Sequence, residues 1–230
     1  MTSIKVLAFD ADDTLWENEP YFREVEERFA ELMEDYLPRH TTMRELLKTE
    51  IDNIDLYGYG IKAFILSMIE TAIRISDKTI PISAVEKIVA LGREMLNKPV
   101  ILLPDVEDVL KQVQGKFKLV LATKGDLLDQ ERKLKKSGLE KYFHHIEIMS
   151  EKKEADYAKL IRHLDIQPTE FAMIGNSIKS DVLPVLALGG IGIHVPFHTT
   201  WAHEHVEAEI KSERFYQVET LKEVPALFYK

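Results

Sequence analysis

Five short runs of β-branched and apolar residues, at 3 to 9, 117 to 122, 145 to 149, 171 to 175 and 191 to 195, constrain this chain more than any other feature. Helical patterns at 105 to 114, 126 to 136, 154 to 164 and 181 to 188 alternate with the later runs. Parallel strands cannot be joined by a tight turn and need a crossover, so strand–helix alternation predicts an α/β fold: a Rossmann-like parallel sheet with helices on both faces. The rhythm breaks between 17 and 98. Periodic stretches at 19 to 37, 41 to 55, 61 to 75 and 83 to 97 all read as helix, and no strand candidate separates them. An all-helical insert at 17–98 is expected, within an α/β core made of 1–16 and 99–230. Asn97 to Pro99 and Pro104 mark the return to the core. Beyond 199 the chain is polar and His-bearing, then offers a strand at Arg214 to Val218 and a short helix near 220 to 228.

A chain of 230 residues with 45% hydrophobic content can bury a core of this kind. Its net charge of -9 disfavours nucleic acid or an anionic membrane as partner. No basic patch offsets it: Lys133, Lys135 and Lys136 sit among Asp129, Glu131 and Glu140. There is no cysteine, so disulfides and thiolate metal sites are excluded, in keeping with a reducing cytoplasm. No apolar stretch reaches the length of about 18 residues that a membrane span requires. A soluble cytoplasmic protein is expected, with its oligomeric state left open.

Ala8-Phe9-Asp10-Ala11-Asp12-Asp13-Thr14-Leu15 places three carboxylates directly behind the first apolar run. In open parallel sheets the carboxyl ends of the strands form the ligand crevice, which is where such acids can do chemistry. A calcium loop fits poorly, since Leu15 stands where its glycine is needed and Tyr21 where its bidentate glutamate is needed. A second acidic cluster ends another run, Gly175-Asn176-Ser177 with Asp181. Between them one run ends in Thr123 and Lys124, and another is followed by Ser150-Glu151-Lys152-Lys153. Carboxylates, a hydroxyl and an ammonium at successive strand ends suit phosphoryl transfer. Hard cations take oxygen ligands, hydroxyl and lysine groups hold nonbridging oxygens, and an aspartate can attack.

Asp10-Ala11-Asp12-Asp13-Thr14-Leu15 resembles the D-x-D-x-T-L first motif of the haloacid dehalogenase-like hydrolase superfamily. Thr123 falls at its second motif, Lys152 or Lys153 at its third, and Gly175-Asn176-Ser177 with Asp181 at its fourth, over roughly residues 3 to 196. The insert resembles the helical cap of the branch holding haloacid dehalogenases and phosphoglycolate phosphatases. The resemblance implies an Mg²⁺-dependent phosphatase acting on a small phosphorylated substrate. Asp10 would be the nucleophile, and Asp12 would protonate the leaving oxygen and then activate water. Asp10 and Asp181 would hold Mg²⁺ by carboxylate and Asp12 by its backbone carbonyl, with Asn176 beside the metal. Thr123, Lys124 and a lysine of the third motif would hold the substrate's phosphoryl oxygens.

Lys152 is the expected third-motif lysine. Backward extension of the helical period through Tyr157, Leu160, Ile161 and Leu164 favours Lys153, but the family spacing to Tyr157 favours Lys152. Halide-displacing members lack the second aspartate of the first motif, so Asp12 argues for a phosphatase over a dehalogenase. A dehalogenase, a phosphomutase, or a catalytically weak binder of a phosphorylated ligand or protein remain alternatives. Asn176 stands where many phosphatases carry an aspartate. Asp13 has no assigned role, and Thr14 is expected to support the loop. Trp16, Tyr21 and Phe22 are read as helix core, with lining of a substrate pocket as the alternative. The histidines at 194, 198, 203 and 205 have no metal-site spacing and are read as exposed or locally hydrogen-bonded.

Overall fold

The computed structural model describes residues 4–204, 206 and 210–229. Six strands form one parallel sheet in the order β3-β2-β1-β4-β5-β6. They are β1 (Val6–Phe9), β2 (Lys118–Lys124), β3 (His145–Met149), β4 (Phe171–Gly175), β5 (Ile191–His194) and β6 (Phe215–Gln217). The α/β expectation holds, including the sixth strand. β1 lies between β2 and β4, with Phe9 paired to Leu121 on one side and to Ile174 on the other.

Alternation along the central strands sorts side chains onto two faces. Leu7, Phe9, Leu119, Leu121, Ala172 and Ile174 join one buried cluster, against α5 (Val106–Val113) and Leu134 of α6 (Leu127–Ser137). Val6, Ala8, Val120, Ala122, Phe171 and Met173 join the other, against α7 (Glu154–His163) and α8 (Leu183–Ala187). Both faces of β1 are apolar because helices cover both, and all four of its residues are buried.

The chain divides into two compact units. One comprises the residues through Glu19, Val100–Lys124, and those from Gln130 onward; the other comprises Pro20–Pro99 and Gly125–Asp129. The second contains most of α1 (Glu19–Leu32), together with α2 (Arg39–Tyr57), α3 (Ile61–Ile75) and α4 (Ile82–Asn97). Its core runs through Phe29, Met33, Leu46, Phe64, Met68, Ile88, Leu91 and Met95, at the three- and four-residue spacings that put apolar groups on one helix face. Gly92 lets α4 approach α3, since a Cβ there would lie 1.8 Å from Ile65 Cδ1. Asp126 joins this unit through a 2.9 Å ion pair with Lys62.

Two local expectations need correcting. The helix read over 19 to 37 stops at Leu32, and a new one starts at Arg39. Pro38 keeps the two helices apart: it disfavours helical geometry at Leu37, has no N–H to continue a ladder, and directly precedes the first residue of α2. The helix read over 181 to 188 is preceded by a π-helical turn, Ile178–Val182, and Asp181 lies in that turn, with α8 following. The short helix expected near 220 to 228 is present as a 3-10 helix, Leu221–Leu227, with Pro225 inside it. No helix among the described residues is long and apolar enough to cross a membrane.

Candidate active site

The carboxyl ends of β1, β2, β3 and β4 lie side by side in the sheet, which brings four distant pieces of sequence together. The Asp10 N–H continues the β1 ladder by donating to the Ile174 carbonyl at 2.8 Å. The Asp10 side chain is buried, with 6% of the residue exposed. Lys152 Nζ lies 2.5 Å from Asp10 Oδ1 and 2.7 Å from Asp181 Oδ1, joining the first, third and fourth motifs in one buried cluster. Burial pushes the Asp10 carboxyl up to about 7 against the pull of Lys152, and the Asp181 charge adds to the push. Burial alone would lower the lysine, but the two carboxylates overcome it and hold the ammonium well above its ordinary value.

The structure separates the two candidate lysines. Lys153 is the residue before α7, its N–H donating to the Asp156 carboxylate at 3.0 Å, and its side chain is 72% exposed beside Glu151. Lys152 therefore sits in the loop, ahead of the first helical turn, where helical period does not set direction. Tyr157, five residues on, closes the cluster by donating its hydroxyl to the Ser180 carbonyl at 3.0 Å.

Gly175 makes the approach of Asp181 possible. A Cβ at this position would lie 2.2 Å from Asp181 Oδ2 and 2.7 Å from Asp181 Cβ. The π-helical turn is pinned by the Ser177 hydroxyl, which accepts the Ser180 N–H at 3.0 Å, and by the Ser177 N–H, which donates to Asp181 Oδ2 at 3.0 Å. Thr14 supports the loop: its hydroxyl accepts the Asn176 N–H at 3.0 Å and lies 3.2 Å from Asp10 Oδ2. The Asn176 side-chain oxygen lies 3.3 Å from the same hydroxyl. Thr123 is buried at the end of β2, with its hydroxyl 3.5 Å from the Lys124 carbonyl.

Asp12 faces a different set of groups. Its carboxylate accepts from Trp16 Nε1 at 2.7 Å, Gln130 Nε2 at 2.9 Å and Lys133 Nζ at 2.7 and 2.9 Å. Among the described residues no three His, Cys, Asp or Glu side chains converge as a metal cluster, so the Asp12 carboxylate is not a third acid beside Asp10 and Asp181. Reading Lys133 as one of a mixed-charge set missed this contact; Trp16, four residues from Asp12 and fully buried, was a signal that the loop folds back on itself.

Asp13 is a support for the chain's exit from the loop. At φ 60 it accepts the N–H groups of Asn18 and Glu19 on its carboxylate, at 2.9 to 3.1 Å, satisfying donors at the start of α1. Burial, with Asp12 adding, pushes the Asp13 carboxyl up to about 8 against the pull of those N–H groups. Lys124, an expected substrate contact, has its ammonium on Glu204 and 2.9 Å from Ser180 Oγ. Glu204 was missed altogether. His194 Nε2 lies 3.0 Å from the Asn176 carbonyl, His198 pairs with Thr199, and His203 with Lys179; His205 lies outside the described residues. Tyr21 and Phe22 pack against the helical core.

The model of haloacid dehalogenase-like hydrolases matches residues 4–189. The chain belongs to this hydrolase family. It is similar to a haloacid dehalogenase-like family hydrolase from Xanthomonas campestris, with 37% identity, a TM-score of 0.88, and coverage of 98% of this chain and 90% of that one. The HAD-hydrolase YfnB of Bacillus subtilis, solved bound to magnesium, shares the fold at 14% identity, with a TM-score of 0.67 and 100% coverage of both chains. N-acylneuraminate-9-phosphatase of Mus musculus is 28% identical over 134 residues, 55% of this chain and 52% of that protein. The chain thus spans about half the length of the curated relatives it matches.

Proposed function

We propose that this family member is an Mg²⁺-dependent phosphomonoester hydrolase that works in the cytoplasm on a small phosphorylated metabolite, through an aspartyl-phosphate intermediate. The observation that carries this reading is the buried Asp10 carboxylate, held 2.5 Å from Lys152 Nζ beside Asp181, with a second acid two residues along the same loop. Asp10 attacks phosphorus, the P–O bond to the leaving group breaks, and Asp12, entering the step in its protonated form, gives that proton to the departing oxygen and becomes the carboxylate that Trp16, Gln130 and Lys133 bond. Asp12 then takes a proton from the water that cleaves the acyl phosphate, which restores Asp10 and releases phosphate. Lys152 and the Thr123 hydroxyl hold the nonbridging oxygens, where charge gathers in the transition state. The phosphatase named among the relatives, and the presence of Asp12, support this over halide displacement.

The donor set fits magnesium. One ammonium faces two buried carboxylates, so the three groups together carry an excess of one negative charge when both acids are ionised. A hard ion that keeps several waters and needs only one or two carboxylates suits such a site. Asp10 and Asp181 would hold it through carboxylates and Asp12 through its backbone carbonyl, with Asn176 nearby, and YfnB is a fold relative solved with that ion. When bound, Mg²⁺ neutralises the repulsion between the attacking carboxylate and the phosphate.

The test is turnover of 4-nitrophenyl phosphate with Mg²⁺, its loss with EDTA, and its loss in Asp10→Asn. Rapid quench with labelled substrate should leave a base-labile phosphoryl group on the peptide holding Asp10. An Asp10→Asn protein that keeps more than about a tenth of the rate rules out the nucleophile assignment.

A further inference from the structure

Glu204 comes from a short 3-10 turn, Ala202–Glu204, beyond the last of the four motifs, yet its carboxylate is buried against the second and fourth, with 9% of the residue exposed. One oxygen accepts from the Lys124 ammonium at the end of β2. The other accepts from the Ser177 hydroxyl and, at 2.7 Å, from the Ser180 hydroxyl. Lys124 Nζ also reaches Ser180 Oγ at 2.9 Å, closing a ring of donors around one acceptor group. Burial works against the ionised carboxyl, but Lys124 and the two serines outweigh it and hold Glu204 down to about 2.

The two serines are the residues that shape the π-helical turn. Ser177 accepts the Ser180 N–H on its hydroxyl, donates its own N–H to Asp181 Oδ2, and accepts the Asp181 N–H on its carbonyl at 2.8 Å. A hydroxyl that accepts one N–H and donates to a carboxylate is fixed in rotation, so the Glu204 contact orients the group that fixes the turn. The line of contact runs from Glu204 to Ser177 and Ser180, from them to Asp181, and from Asp181 to Lys152 Nζ at 2.7 Å.

We propose that Glu204 is a positioning residue for the fourth motif: through Ser177, Ser180 and Lys124 it holds the Ile178–Val182 turn so that the Asp181 carboxylate is presented to the cation and to Lys152. This assigns Lys124 to the same clamp, in place of a direct substrate contact. The proposal rests on the cation-dependent reading above, and the test separates the two.

Glu204→Gln keeps the shape and removes the charge. Mn²⁺ binding, followed by electron paramagnetic resonance without substrate, should weaken at least about tenfold. Amide hydrogen exchange at Ser180 and Asp181 should quicken at least about tenfold, while exchange in β1 and β4 stays as in the parent. The milder Ser180→Ala, which removes one donor and leaves the charge pair, should show smaller changes in the same direction. It also keeps the test usable if Glu204→Gln fails to fold. Unchanged Mn²⁺ affinity and unchanged exchange in the turn overturn the proposal. So does exchange that quickens equally across the whole sheet, since that is general destabilisation. If the parent protein itself binds no Mn²⁺, the functional reading fails. Exchange in the turn then decides the clamp by itself: selective quickening supports it and no change overturns it.

Discussion

Gly175→Ala tests the close approach on which the fourth motif depends. The added methyl would lie 2.2 Å from Asp181 Oδ2 and 2.4 Å from its carboxyl carbon, where ordinary contact starts near 3.4 Å. The oxygen must therefore withdraw by about 1.2 Å. A side-chain rotation cannot relieve the clash, because Asp181 Cβ itself would be only 2.7 Å away, so the turn must move as a whole. That movement breaks the 3.0 Å contact from the Ser177 N–H and draws Asp181 from Lys152, now at 2.7 Å. Misplacement of about 1 Å can cost about a hundredfold in rate, or roughly 2.7 kcal/mol in the barrier. Overpacking itself should cost about 1–3 kcal/mol of stability. The expected result is a fall of about a hundredfold or more in kcat/KM for 4-nitrophenyl phosphate, a higher Mg²⁺ requirement, and a folded protein by circular dichroism. A variant within about threefold of the parent, at the same Mg²⁺ concentration, would show that Asp181 need not stand where the glycine admits it.

Three further outcomes follow from the site. Lys152→Ala should lower kcat at least about a hundredfold and Lys153→Ala less than about tenfold, and the opposite ranking in steady-state kinetics would transfer the role. Lys133→Met frees Asp12 from its ion pair; the change in kcat/KM should differ by about tenfold or more between an alkyl phosphate, whose leaving oxygen needs a proton, and 4-nitrophenyl phosphate, which needs little help, whereas equal changes would remove Lys133 from the proton path. Glu204, held near 2, contributes stability that is fully present above its ordinary value of 4.5 and is lost as pH falls through the folded value. The whole contribution is roughly 3 kcal/mol. The stability gap between the parent and Glu204→Gln should therefore shrink by about 2 kcal/mol between pH 6 and pH 3 in urea melts, and a constant gap would contradict the ion pair.

The sheet was legible because its evidence is local and periodic. Runs such as Leu119 to Ala122 and Phe171 to Ile174 are apolar on both faces, and strand ends can be read from where polar residues begin. Lys152 was legible by its distance from Tyr157, a loop spacing, where helical period pointed to Lys153. Other features depend on contacts that no window of sequence contains. Glu204 lies 80 residues from Lys124, in a polar segment that looks like any solvated tail. Lys133 lies 121 residues from Asp12 and reads as one charge in a mixed row. The π-helical turn has no periodic signature, because it is imposed by the serine and aspartate side chains that cap it. Asp13 has no role that its position in the sequence reveals, because its carboxylate bonds two backbone N–H groups that only the fold brings to it.

The contact between Trp16 and Asp12 gives the molecule an internal optical probe. The chain has two tryptophans, Trp16 and Trp201, and they differ sharply in environment. The Trp16 indole is fully buried with its N–H on the Asp12 carboxylate, whereas Trp201 is partly exposed. Iodide quenches accessible indoles and leaves enclosed ones bright, so the residual emission belongs to Trp16. Its wavelength reports the charge and orientation of the neighbouring carboxylate, without a label and without a substituted residue. Stopped-flow fluorescence could therefore follow the acid of the first motif through each turn of the reaction, in the same cuvette that measures the product.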